Sequence, residues 1–200
     1  MNENLPPLIH VVDDDDDLGA AIARLLVRHG YWARSFATPA AMLEACAHEQ
    51  CQCVVTDVIM NEMDGFTLAE ALREYNPAAA VIFMTAWPTT ANAVDAVRCY
   101  GGLDYLEKPL DETRLLTSIT EGVAWSKRRR AALNRLAQLT AREKQVLELL
   151  TAGMSNKVVA ANLQISAKTV EDHRAAIMAK TGTNHISGLI ALVRDASFGT

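Results

Sequence analysis

Hydrophobic residues fall along this chain in two rhythms. Up to about residue 121, short apolar runs alternate with longer stretches of helical period. The runs Leu8–Val12, Tyr31–Phe36, Cys53–Thr56, Val81–Thr85 and Leu103–Leu106 read as strands. The intervening segments Leu18–Arg28, Pro39–His48, Phe66–Tyr75 and Thr90–Cys99, and one beginning near Asp111, read as amphipathic helices. Strands separated by helices of this length build βα units on a parallel sheet, so the pattern predicts a doubly wound α/β domain with five strands.

From Leu139 the pattern is helical only. Thr140, Ser155 and Ser166 are placed to cap helices, Gly153 and Gly182 to end them, and a last helix is expected from about 186 to 194. A short helix, a tight turn at Gln164-Ile165-Ser166 and a longer helix fit helix-turn-helix spacing. The proline-free stretch between, rich in Ala, Leu and Arg, reads as a helix that continues as a linker. The predicted layout is 1–121, a helical linker at 122–138, and an all-α four-helix domain at 139–200.

Charge follows the same division. Residues 1–121 carry a net −12, residues 122–138 carry +5 and residues 139–200 carry +2, within a total of −5. A cation suits the first part and a polyanion the last. Lys127-Arg128-Arg129-Arg130 is expected mainly as a solvated helix face. Half the residues are hydrophobic, which excludes a disordered chain. The four cysteines lack paired metal spacing and read as buried thiols of a reduced, cytoplasmic protein. No signal peptide or membrane-length apolar stretch is read, so no membrane partner is expected.

The candidate chemistry lies at the strand ends. Asp13 to Asp17 follow the first strand, Asp57 ends the third, Thr85 ends the fourth, and the fifth leads to Lys108-Pro109. In a parallel sheet these ends share one edge, where ligands bind. A carboxylate there can accept a phosphoryl group, with a divalent cation neutralising the oxygen charge. Asp57 is the expected nucleophile. Asp14 is expected on the metal directly, and Asp13 directly or through water. Lys108 and Thr85 are placed to bind phosphoryl oxygens. Asp15 to Asp17 read as helix capping and solvated charge, Asp64 as the start of a turn with Gly65, and His10 as a packed residue. Taken singly, Thr85 is equally a strand-end hydroxyl bonded to backbone, and Lys108 a solvated lysine. A calcium loop starting at Asp13 would need Gly at 18 and Glu at 24, where the chain has Leu18 and Arg24. A phosphatase with Asp13 as nucleophile stays open at this point, although it leaves Asp57 and the C-terminal helices unexplained.

Residues 9–121 resemble a response-regulator receiver domain, of the CheY/flavodoxin-like fold. The matching motifs are Val11-Val12-Asp13-Asp14, Asp57 to Gly65, Met84-Thr85-Ala86 and Lys108-Pro109. The resemblance implies Mg²⁺ (or Mn²⁺) bound by Asp13, Asp14, Asp57 and the backbone carbonyl of Ile59. It also implies a cis bond before Pro109, and a switch in which Tyr105 turns inward when Thr85 engages phosphate. Asn61 stands where this family often has proline, so the loop after Asp57 is expected to be less rigid. Trp87-Pro88 in the loop after Thr85 is a second departure.

On the expected third C-terminal helix, Val170, Ile177 and Met178 form an inward stripe, and Lys168, Glu171, Asp172, Ala175 and Ala179 another face. Periodicity alone leaves a plain helical satellite equally open. Residues 139–194 resemble the DNA-binding domain of LuxR/FixJ-type regulators through Leu139 to Glu143, Gly153 to Lys157, Ile165 to Arg174 and Met178 to Lys180. Both domains together resemble the FixJ class of the NarL/FixJ family of two-component transcription factors. Base-edge positions map to Glu171, Asp172 and Ala175, with one acid turned away or paired with Arg174. Asn156, Lys157, Lys168, Thr169, Arg174 and Lys180 are candidate phosphate contacts. The resemblance implies phosphorylation by a sensor histidine kinase, homodimerisation on phosphorylation and binding of a double-stranded DNA operator. It implies no enzyme activity beyond the receiver's own phosphotransfer and slow dephosphorylation. The alternative keeps DNA binding but makes it independent of phosphate. The fourth helix, through Leu189, Ile190, Leu192 and Val193, is expected to share its apolar stripe between core and dimer contact.

Overall fold

The computed structural model describes residues 5–197; the expected domain limits at 1 and 200 lie outside the described residues. Five strands are β1 (Leu8–Val12), β2 (Trp32–Phe36), β3 (Cys53–Asp57), β4 (Ala80–Thr85) and β5 (Asp104–Glu107). All pair in parallel, in the order β2-β1-β3-β4-β5. Between and after them run α1 (Asp16–Arg28), α2 (Pro39–Cys46), α3 (Gly65–Tyr75), α4 (Thr90–Arg98) and α5 (Glu112–Ala137).

Each expected element is present, with small shifts at its ends. The helix expected from Leu18 begins at Asp16, because the Asp15 carboxylate accepts the Leu18 N–H at 3.0 Å and caps the first turn. Alternate residues of the central strands feed two cores. Ile9, Val11, Val55, Ile82 and Met84 pack with Ile22 and Leu26 of α1 and with Leu115 and Ile119 of α5. Val12, Val54, Val81 and Phe83 pack with Met42 of α2 and with Leu68 and Leu72 of α3. Each large apolar side chain withdrawn from water contributes about 1.5–3 kcal/mol, so this alternation fixes the register of the sheet.

The last expected helix of the first domain and the linker form one element, α5. The chain divides into two compact units between Lys127 and Arg128. The basic run is not a uniformly solvated face. Lys127 and Arg128 are exposed, but Arg129 is buried.

The second unit holds α6 (Ala141–Thr151), α7 (Asn156–Leu163), α8 (Ala167–Thr181) and α9 (Ile186–Ala196). Its core joins Val146, Leu147, Leu150, Val159, Val170, Ile177 and Leu189. Thr140, Ser155 and Ser166 cap α6, α7 and α8, as their spacing predicts. Gln164 takes the left-handed conformation, with φ 53°, in the turn between α7 and α8, and Gly182 does so after α8, with φ 61°. On α9, Leu189 and Leu192 belong to the core, while Ile190 is exposed.

Candidate functional site

The parallel register carries the polar strand ends to one edge. Val12 pairs with Thr56, Asp57 with Met84, and Thr85 with Glu107. Carboxylate oxygens of Asp13, Asp14 and Asp57 come within 4.8 Å of one another. Asp13 is 1% exposed and Asp57 8%, whereas Asp14 is open to solvent.

Lys108 ties the two buried acids together. Its Nζ donates to Asp13 Oδ2 at 2.8 Å and to Asp57 Oδ2. The other oxygen of each acid accepts a backbone N–H at 3.0 Å, Asp13 from Asp15 and Asp57 from Ile59. Burial pushes the Asp13 carboxyl above the usual carboxylate range, and the bonds from Lys108 and Asp15 offset this only in part. Burial alone would lower the Lys108 pKa; its bonds to Asp13 and Asp57 outweigh that and hold it above its ordinary value. Lys108 is therefore a cation; the Lys108-Pro109 peptide that follows it is cis, as the family resemblance implies. Buried acids crowded around one cation leave a site short of positive charge. Three hard oxygen donors this close suit a small divalent cation.

The remaining expected residues are placed as follows. Thr85 is buried, and its Oγ1 accepts the Trp87 N–H at 3.1 Å. Tyr105 is partly buried against the second core, and its hydroxyl is buried without a hydrogen-bond partner among the described residues. The Ile59 N–H faces Asp57, while its side chain is exposed. Asp64 caps α3, accepting the Thr67 N–H at 2.7 Å.

Two residues of the cleft were not singled out from sequence for what they do. Asn61, expected only to loosen the loop, anchors it instead: Nδ2 donates to Asp14 Oδ2 at 2.9 Å, and the backbone N–H reaches the same oxygen at 3.4 Å. A proline could supply neither bond. Gly65 allows α3 to start against the end of β3. A Cβ at that position would lie 2.2 Å from the Asp57 carbonyl oxygen, so only glycine fits without a backbone shift. The signal for Gly65 was present in the Asp64-Gly65 turn, whereas nothing local pointed from Asn61 to Asp14.

In the second unit, α7, the turn and α8 form a helix-turn-helix. Lys168, Glu171, Asp172 and Ala175 are exposed along α8, with Thr169 and Arg174 half-buried beside them. Lys157 is exposed and Asn156 half-buried at the start of α7. The acids are paired with Lys168, 3.2 Å from Asp172 and 3.9 Å from Glu171, in place of the two expected alternatives, one acid turned away or paired with Arg174. The i, i+3 and i, i+4 spacing puts Lys168 directly beside both acids on the helix. Lys180 differs from the other candidate phosphate contacts. Its Nζ is held by both oxygens of Glu143, at 2.8 and 2.7 Å, inside the unit. Glu143 is buried, and the same side chain completes the capping box of α6 by accepting the Thr140 N–H. The Thr140-x-x-Glu143 spacing carried the capping signal, but not the pairing with Lys180.

Comparison with known proteins agrees with both halves. Residues 9–120 match the response regulator receiver domain, and residues 137–193 match the luxR family of bacterial regulatory proteins. The chain is 35% identical to the transcriptional regulatory protein FixJ of Azorhizobium caulinodans, covering 96% of this chain and 93% of that protein. It is 34% identical to the C4-dicarboxylate transport transcriptional regulatory protein DctR of Rhodobacter capsulatus, covering 90% and 96%. Among solved structures, full-length FixJ from B. japonicum aligns with TM-score 0.54 and 32% identity over 96% of this chain and 98% of that one. A receiver with its acidic cleft, followed by a LuxR-type helix-turn-helix, is the composition of a two-component transcription regulator, and this chain belongs to the FixJ-like response regulators.

Proposed function

We propose that Asp57 is the phosphoacceptor through which a sensor histidine kinase controls DNA binding by this chain. The observation that carries the reading is Lys108 held between Asp13 and Asp57, at the edge where Asp14 and Thr85 also end. Asp13, Asp14 and Asp57, with the backbone carbonyl of Ile59, are the residues that would hold Mg²⁺ or Mn²⁺, which when bound neutralises charge on the phosphoryl oxygens. An Asp57 carboxylate oxygen attacks the phosphorus of a phosphohistidine. The new O–P bond gives an acyl phosphate, and the N–P bond breaks with its electron pair leaving on the imidazole. Lys108 then exchanges Asp57 for a phosphoryl oxygen. Thr85 turns its hydroxyl to donate to another phosphoryl oxygen, and Tyr105, whose hydroxyl has no hydrogen-bond partner among the described residues, changes position with it. The receiver catalyses this transfer itself and loses the phosphate slowly by hydrolysis.

The readout is a change in the face around α4 and β5, where Val94 and Val97 are exposed. Phosphorylation favours a homodimer through that face, assisted by Ile190 of α9, and pairs two helix-turn-helix units on a two-fold operator. Residues 1–121 act as the receiver, 122–138 as the helical linker and 139–200 as the DNA-binding domain. Glu171, Asp172 and Ala175 face the bases. Asn156, Lys157, Lys168, Thr169 and Arg174 face phosphates, and Lys180 contributes by fixing α8 rather than by direct contact. Among the described residues no helix is long and apolar enough to cross a membrane, and we place the protein in the cytoplasm.

The deciding experiment is labelling with a small phosphodonor in Mg²⁺, coupled to selection of bound sequences from a random DNA pool. Wild type takes up label and gains DNA affinity, and Asp57→Asn does neither. Label retained by Asp57→Asn but lost by Asp13→Asn would overturn the reading in favour of a phosphatase. Equal DNA binding with and without donor would make activity independent of phosphate.

A further inference from the structure

Inside the second receiver core, three potential ligands meet that the phosphotransfer chemistry does not use. His10 of β1 is fully buried, Cys46 ends α2, and Cys51 lies just before β3. His10 nitrogen, Cys46 Sγ and Cys51 Sγ lie within 4.8 Å of one another. Buried thiols beside a core histidine are ordinary packing when nothing orients them. Here each is oriented.

His10 Nε2 is paired with Glu49 Oε1 at 3.1 Å, and Glu49 is held in turn by Arg34. With that nitrogen donating to a carboxylate, the lone pair is on Nδ1, which faces Cys46 Sγ at 3.9 Å. A carboxylate behind a histidine is the usual outer support of a metal-bound imidazole. Asn76 Nδ2 reaches both the carbonyl oxygen of Cys51, at 2.9 Å, and its Sγ, at 3.7 Å. Met42 Sδ lies 3.4 Å from Cys46 Sγ, adding a fourth soft donor.

Metal–sulfur bonds of about 2.3 Å and metal–nitrogen bonds of about 2.0 Å put ligand atoms roughly 3.5–4 Å apart. The observed spacing needs only a small contraction around an ion.

We propose that His10, Cys46 and Cys51 bind one soft monovalent cation, Cu(I), with Met42 as an adjoining thioether donor. The donor set selects it. Thiolate and thioether sulfur prefer Cu(I), whereas a closed zinc site takes four donors, to which a thioether contributes little. The hard acids of the phosphoacceptor cleft are separate from this cluster. The ion would tie the end of α2 to β1 and the start of β3.

The test uses the full chain carrying Cys99→Ser, which removes the exposed thiol. It is titrated anaerobically with Cu(I) against a chromogenic Cu(I) chelator, with Zn²⁺ in a parallel arm. One Cu(I) per chain is expected to be retained, with at least tenfold weaker retention in Cys46→Ser. X-ray absorption of the copper-loaded protein should show sulfur scatterers with one nitrogen, and loading should raise the melting temperature of the receiver. The absorption measurement needs no core variant, so it stands even if Cys46→Ser fails to fold. Absence of retained Cu(I), a copper shell of nitrogen and oxygen only, or tighter retention of Zn²⁺ would each overturn the assignment.

Discussion

The side-chain amide of Asn61 donates to Oδ2 of Asp14 at 2.9 Å, across 47 residues of sequence. Asp14 is the exposed acid of the cleft, so this bond is what restrains its carboxylate. Groups that orient a metal-binding carboxylate typically account for about 10–100-fold in metal affinity. Asn61→Ala is expected to weaken Mg²⁺ binding toward the lower end, roughly tenfold. All three tryptophans precede Lys127, so a fluorescence titration reads the receiver alone. Tighter binding in the variant would mean that Asn61 competes with the cation instead of positioning its ligand.

Asp13 carries a stability cost. Its folded pKa lies above the ordinary 3.8, chiefly through burial, so folding favours the protonated form. That contribution is present at low pH and is lost as pH rises through the folded value. At neutral pH Asp13→Asn should therefore raise receiver stability, to the extent that relief from burial exceeds the lost bond to Lys108, while abolishing its stabilisation by Mg²⁺. The gain should vanish below about pH 4, where the carboxyl is protonated in both the folded and the unfolded chain. Thermal unfolding followed by tryptophan fluorescence at both pH values checks the sign.

Gly65→Ala forces its Cβ to within 2.2 Å of the Asp57 carbonyl unless the backbone moves. The shift falls on the residue that accepts phosphate. The expected result is destabilisation by about 3 kcal/mol and strongly reduced phosphodonor labelling. Wild-type stability with wild-type labelling would show that the β3–α3 junction is plastic.

Glu143 is expected to contribute to the acid sensitivity of the second unit. The Lys180 ammonium, and then the Thr140 N–H, hold its carboxyl below the ordinary 4.5. The resulting stability is full above that value and lost as pH falls through the depressed folded pKa. Lys180→Met leaves a buried carboxylate without its cation. It should destabilise the unit at neutral pH by about 1 kcal/mol, a figure reduced because Lys180 is partly open to solvent. It should also flatten the acid limb of a melt followed by far-ultraviolet circular dichroism. An unchanged acid limb would remove Glu143 as its source.

Lys157 and Lys168 should separate in salt titrations of DNA binding. Lys157 is exposed, whereas Lys168 is paired with Asp172 and Glu171. Lys157→Ala should weaken binding to all sequences and reduce the salt slope by about 1. Lys168→Ala should reduce it less, since its charge already has partners. Equal slopes in the two variants would show that the Lys168 pairs open on DNA.

Much of this architecture is legible in the amino-acid sequence. A period of two or of 3.6 is a local property, so the strand and helix order, the caps at Thr140, Ser155 and Ser166, and the stop at Gly182 could be read residue by residue. The convergence of Asp13, Asp14, Asp57, Thr85 and Lys108 followed from one further rule, that parallel strands end on the same edge. What the tertiary structure alone decided was pairing. Periodicity could not say that Asn61 would reach Asp14, that Lys180 would turn to Glu143, that Lys168 rather than Arg174 would neutralise the recognition-helix acids, or that His10 would meet Cys46 and Cys51. Most of these contacts join residues far apart in the chain, and even the local choice between Lys168 and Arg174 depends on how side chains lie in the folded unit. Where the partners are buried, as at Glu143 and His10, pairing is enforced because an unpaired polar group there is costly; at the exposed Asp14 and Lys168 it follows from proximity, and which partner is within reach is set only when the chain has closed on itself.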